Sequence, residues 1–145
     1  MRMWIVFSLL AALAAACVVT LSKAGLKNVD SSLAFAVEAV LIVAVAWGVV
    51  AWQGLGPAVA RIDGRSWAFL VGAGVLTAAS SLLSFRALSL GNASQVSPID
   101  KVSLVFAVVL AAVFLKEKVS WQVWLGAGLM VAGAVVIALA KPSGE

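Results

Sequence analysis

The stretch "SPIDKVSLVFAVVLAAVFLKEK", residues 97–118, sets Asp100 and Lys101 at the mouth of an apolar run. That run carries no charge until Lys116, Glu117 and Lys118. The same spacing recurs along the whole chain, with charges as punctuation between long uncharged stretches, the pattern of membrane-spanning helices. It predicts spans over residues 4–22, 33–52, 67–90, 98–115 and 121–140. Each is long enough to cross a hydrocarbon core of ~30 Å at ~1.5 Å per residue. Trp4, Trp52, Trp67 and Trp121 stand at segment ends, where indoles favour the membrane interface.

Composition requires the same solvent. Of the 145 residues, 64% are hydrophobic and 11% charged, which is far more apolar surface than so small a sphere can bury. Mean hydropathy is +1.15. The fold class expected is an all-α membrane protein of five transmembrane helices, a single domain over 1–145. The basic, apolar, small-residue start "MRMWIVFSLLAALAAAC" also reads as a signal peptide, and "LAAAC" as a weakened lipoprotein box. The apolar run, however, continues through Val18 to Leu21, which favours an uncleaved first helix. Cys17 is then a small apolar filler, without a disulfide partner or metal-ligand spacing. The connections are short: Ser31 or Ser32 is suited to cap the second span, and Gly91 to end the third.

The isoelectric point near 9.7 does not indicate nucleic acid, because the ten basic residues are scattered over every connection. With five spans, one side holds Arg2, Arg61, Arg65, Lys116 and Lys118. The other holds Lys23, Lys27, Arg86 and Lys141, with Lys101 as a possible fifth. The positive-inside rule needs an imbalance to choose an orientation and barely finds one here. Enzyme chemistry has no support: there is no histidine, no tyrosine, no metal-ligand cluster and no Gly-rich phosphate loop. No cofactor or metal is expected.

Five spans, "LSKAGLKNVDSS" (21–32), "FRALSLGNASQVSPIDK" (85–101), "FLKEK" (114–118) and "WLGAGLMVAGAVVIAL" (124–139) together resemble an EamA-type domain of the drug/metabolite transporter superfamily. The resemblance covers essentially the whole chain and is strongest over 85–139. Larger members hold two such units in inverted orientation, so this chain resembles a short single-unit branch, one half of an inverted-repeat transporter. The resemblance implies a multi-pass protein of the bacterial plasma (inner) membrane. Its partner would be a second copy in antiparallel orientation, or a related short subunit. Inverted repeats around a midplane site are a common transporter plan, and a near-neutral charge bias would let one gene supply both orientations. The small multidrug resistance transporters, distant relatives, dimerise through two glycines seven apart, and Gly126 and Gly133 have that spacing. Two helical turns put both on one face, open either to a partner or to packing within the monomer.

Candidate site residues follow from charge placed in apolar surroundings. Glu38 lies six residues past Ser32, roughly 9 Å down its helix, where a short carboxylate snorkels poorly. Function or a structural ion pair with Arg86 or Lys101 would each explain it. Ser97, Pro98 and Asp100 read as an N-cap, a first-turn proline and an acidic N3 residue. Lys101 then opposes the helix dipole, which makes it the better functional candidate, and the resemblance to carriers of phosphorylated sugars points to the same residue. Gly74, Thr77, Ser81 and Ser84 recur at spacings of three and four, one small and weakly polar face suited to packing or to a cavity wall. Arg86 ends that helix, where a cation suits the dipole and could reach inward.

The expectation is a secondary transporter exporting a small polar metabolite or drug-like compound by alternating access. Glu38 would exchange a proton, with Lys101 and Arg86 as counter-charges. A flippase for a lipid-linked sugar is the alternative, and an open lateral groove between helices favours it. A non-transporting assembly subunit is the alternative of another class, and tolerance of charge removal favours that one.

Overall fold

A span in lipid must have every backbone donor and acceptor satisfied by protein, as in a helix or a closed barrel, and continuous apolar runs of this length take the helix. The structure, a computed structural model, describes residues 3–140. Arg2 and Lys141 lie outside the described residues. Helices run over Met3–Gly25 (α1), Ser31–Trp52 (α2), Gly64–Leu90 (α3), Ala93–Asp100 (α4), Ser103–Phe114 (α5) and Trp121–Leu139 (α6). Helices α1, α2, α3 and α6 are each long and apolar enough to span a membrane, and α4 with α5 makes the fifth such stretch, Ala93–Phe114. Described large apolar side chains such as Leu21, Val45, Leu76 and Leu83 stay exposed, as surface solvated by lipid does.

The chain forms two compact units, one up to Ser89 and one from Leu90 onward. In the first, the buried residues Leu26, Ser31, Phe85 and Leu88 gather where α1 ends, α2 begins and α3 ends. The rings of Phe35 and Phe85 meet there at 5.6 Å and 56°, a tilted contact of the favoured kind.

Local chemistry sets the helix ends. The carboxylate of Asp30, not Ser31 or Ser32, caps α2 by accepting the N–H groups of Ser32 at 2.8 Å and Leu33 at 3.4 Å. A carboxylate also complements the helix dipole there, whereas the Ser31 side chain is buried. Helix α2 ends in a Schellman turn: Leu55 N–H reaches the Val50 carbonyl and Gly54 N–H the Ala51 carbonyl, both at 3.0 Å. Gly54 takes φ +66° in that turn, a conformation that strains any residue with a Cβ. A 3₁₀ turn over Gly56–Arg61 follows, and the Asp63 side chain accepts Ser66 N–H at 3.1 Å to start α3.

In the second unit α6 packs against α4 and α5. Its buried positions are Ala127 and Ala134, two turns apart. The Gln95 side-chain amide donates to the Ala140 carbonyl at 3.0 Å, tying α4 to the end of α6. The span expected over 98–115 differs from the structure. Its helix starts at Ala93 after an Asn92 cap, holds Pro98 inside, and breaks between Asp100 and Ser103. Across the break the bonds tighten to three-residue steps, Val102 to Ile99, Leu104 to Lys101 and Val105 to Val102, at 2.9–3.0 Å. Such tightening is the usual response to strain within a helix. Ser97 is therefore an interior helical residue and the expected capping box is not formed.

Candidate functional site

Glu38 projects from the second turn of α2 toward the last turn of α1. There the Ser22 hydroxyl donates to its Oε2 at 3.2 Å, and both side chains are half-buried. The ion pair with Arg86 that the sequence allowed is not formed among the described residues. Next along α1, Lys23 donates its ammonium to the Leu88 carbonyl at 2.7 Å. That carbonyl belongs to the last turn of α3, where helical acceptors lack partners and a cation suits the dipole. Ser22 is thus held on Glu38 by an α1 end that is itself fastened to α3.

Apolar grooves open on either side of this pair. The larger, about 560 Å³, runs between α1 and α2 along Val18, Leu21, Leu41, Ile42, Val45 and Ala46. The smaller, about 380 Å³, runs the other way past Gly25, Val29, Ala34, Val37 and Phe85. Ser22 and Glu38 line both, and they are the polar side chains in either wall. Volumes in this range suit small-molecule ligands. Sequence reasoning missed Ser22. An antiparallel pair joined by residues 26–30 does place Glu38 beside the last turns of α1, but not which way those turns face.

Charge at the same end of this unit is organised. Asp30 sits below the usual carboxylate range because the Ser32 and then the Leu33 backbone N–H bind its ionised form, with the Arg86 guanidinium acting in the same direction. At the other end of the unit, Asp63, in the loop between α2 and α3, is lowered by the Ser66 hydroxyl and the Ser66 N–H. Arg86 itself is exposed, one residue after the buried Phe85.

The face expected on α3 divides. Ser81 and Ser84 are half-buried beside the packed end of the unit. Thr77 is exposed and returns its hydroxyl to the Ala73 carbonyl of its own helix at 2.8 Å. In the second unit Lys101 pairs with Asp100 at 3.4 Å, with the two side chains 47% and 41% exposed. Asp100 closes α4 rather than opening a helix, and Lys101 is its C-cap, where a cation agrees with the dipole instead of opposing it. Gly126 and Gly133 are exposed, and a Cβ at either would meet nothing within 4 Å. Their face is therefore not used for packing within the described chain. Among the described residues no group of three His, Cys, Asp or Glu side chains could hold a metal.

Comparison with known proteins agrees with this architecture. A Sinorhizobium sp. protein described as an uncharacterized transporter in the cobO 3′ region is 38% identical over 136 residues, 94% of this chain and 96% of that protein. No solved structure matches. The EamA-like transporter family matches residues 2–139, nearly the full length. The chain belongs to the EamA-like transporter family, a multi-pass integral membrane protein with the spans and the apolar surface that such a transporter requires.

Proposed function

We propose that this protein is a secondary transporter that exports a small metabolite or drug-like compound across a bacterial inner membrane by alternating access, with Glu38 exchanging a proton for substrate. The observation that carries this reading is the Glu38–Ser22 pair on the wall of two open apolar grooves. An ionisable residue within a span is by default a functional-site hypothesis, and among the described residues this one forms no ion pair that would make it structural. Arg86 supplies positive charge at the same end of its unit, and Ser81 and Ser84 a weakly polar wall. Lys101 remains a candidate counter-charge, one that must leave Asp100 to act. Two antiparallel copies complete the pathway, with Gly126 and Gly133 as the closest approach between them.

A flippase for a lipid-linked sugar is the second reading, favoured by the lateral opening of the groove between α1 and α2. Reconstitution into proteoliposomes with an imposed pH gradient, presented with a panel of metabolites, drug-like amines and a lipid-linked sugar, tests both. Uptake of a soluble compound that collapses with the gradient and in Glu38→Gln is expected. Translocation of the lipid alone supports the flippase. Uptake unchanged in Glu38→Gln contradicts the role of Glu38.

A further inference from the structure

Resting on that transport reading, the geometry points to a substrate class: we propose that the groove at Glu38 takes an amphipathic monocation, an ammonium on an apolar body, entering from the bilayer. The ammonium part follows from the acceptor. A carboxylate offers about four lone-pair sites, and the Ser22 hydroxyl occupies one on Oε2. Among the described residues neighbouring cations do not take the rest. Lys23 is directed to the Leu88 carbonyl and Arg86 forms no ion pair with Glu38 among the described residues. A ligand ammonium supplies the charge-assisted donor that this carboxylate lacks among the described residues. An anion would meet repulsion there, and a neutral polar molecule would lose hydrogen bonds to water along walls that cannot return them.

The apolar body follows from the walls. From Glu38 the larger groove descends past Leu41, Ile42 and Val45 to Ala46. Eight residues of helix span ~12 Å, the length of an aryl ring on a short alkyl chain. Glu38 stands about a third of the way into a ~30 Å core, at the shallow end of that groove. A molecule seated there has its charge toward the interface and its body toward the midplane. That is the orientation an amphipathic cation already holds in lipid, so it need not leave the bilayer to bind.

Three probes with one body separate the possibilities: 4-phenylbutylamine, 4-phenylbutanol and 4-phenylbutyrate, titrated against protein in lipid nanodiscs and corrected with empty nanodiscs. The amine should bind at least about tenfold more tightly than the alcohol, with the carboxylate weakest. Glu38→Gln should remove the amine's advantage and leave the alcohol unchanged. Ser22→Ala, which keeps the charge, should retain most of it. Equal affinity for amine and alcohol in the unaltered protein overturns the proposal, as does tightest binding of the carboxylate, which would indicate an anionic substrate such as a lipid phosphate. The transport reading is tested separately. Glu38-dependent uptake of polar or anionic compounds without amine binding sinks the substrate class alone. Glu38-dependent amine binding with no compound translocated sinks the transport reading alone.

Discussion

Ser22 on α1 and Glu38 on α2 share a hydrogen bond of 3.2 Å across the apolar face between their helices. The bond joins a donor from one helix to the acidic group of the next, so the helices cannot rotate independently without breaking it. Removing the donor tests its strength. Ser22→Ala should lower stability by about 1 kcal/mol, the usual net worth of a hydrogen bond. With Glu38→Leu as the second change, which removes acceptor and charge together, a double-mutant cycle on unfolding should return a coupling of about 0.5–3 kcal/mol. Additive losses would mean that the two groups do not interact.

Asp30 and Asp63 make acid sensitivity predictable in sign. Both have folded-state values lowered from 3.8, so their stabilisation is present above the unfolded value and is lost as pH falls through the lowered folded one. Asp30→Asn should keep the α2 cap and flatten part of this acid loss, because the amide accepts the same N–H groups without titrating. Asp30→Ala should lower stability at every pH. Thermal unfolding of the three proteins between about pH 3 and 7 checks the order.

Ser97→Ala and Asp100→Ala distinguish an interior helix from a helix start. A lost capping box would cost about 0.5–2 kcal/mol. In the structure Ser97 lies inside α4, and its change should stay within about 0.5 kcal/mol. Asp100→Ala removes the 3.4 Å pair with Lys101 and not a helix cap, and should cost about 1 kcal/mol. Denaturant unfolding of both variants provides the measurement.

These two residues also mark where sequence legibility ends. The spans were legible because lipid excludes charge, so that Lys23, Lys116, Glu117 and Lys118 bracket them. The helices observed at Met3–Gly25, Ser31–Trp52, Gly64–Leu90 and Trp121–Leu139 agree with the expected segments to within three residues at every end. "SPID" carries a start signal at a place where Ala93, Ser94, Gln95 and Val96 had already begun the helix. Tertiary context overrides local signals, and here Gln95, ahead of "SPID", is tied to the Ala140 carbonyl of the packed neighbour. Glu38 was legible as a charge out of place. Its partner was not, because helix rotation is a tertiary property that the α1 pattern, apolar on all sides, does not encode.

Gly126 and Gly133 test assembly apart from folding. With nothing within 4 Å of a Cβ at either position, Gly126→Val and Gly133→Val should leave the chain folded and helical. They should weaken the proposed pairing of copies, read by cross-linking in membranes or by mass in detergent. If the pair is antiparallel, a C-terminal tag on the unaltered protein should be labelled from both sides of the membrane. Labelling from one side alone would point to an oppositely inserted second subunit.

The role of Glu38 is tested most directly by protons counted during substrate binding. In weakly buffered suspension, the unaltered protein should exchange protons with solvent when it binds substrate, and Glu38→Gln, which keeps the shape but cannot ionise, should exchange none. Binding should depend on pH in the first protein and be flat in the second. If the unaltered protein binds equally from about pH 5 to 9 with no proton exchanged, Glu38 is not the coupling residue, and its bond to Ser22 only holds α1 to α2.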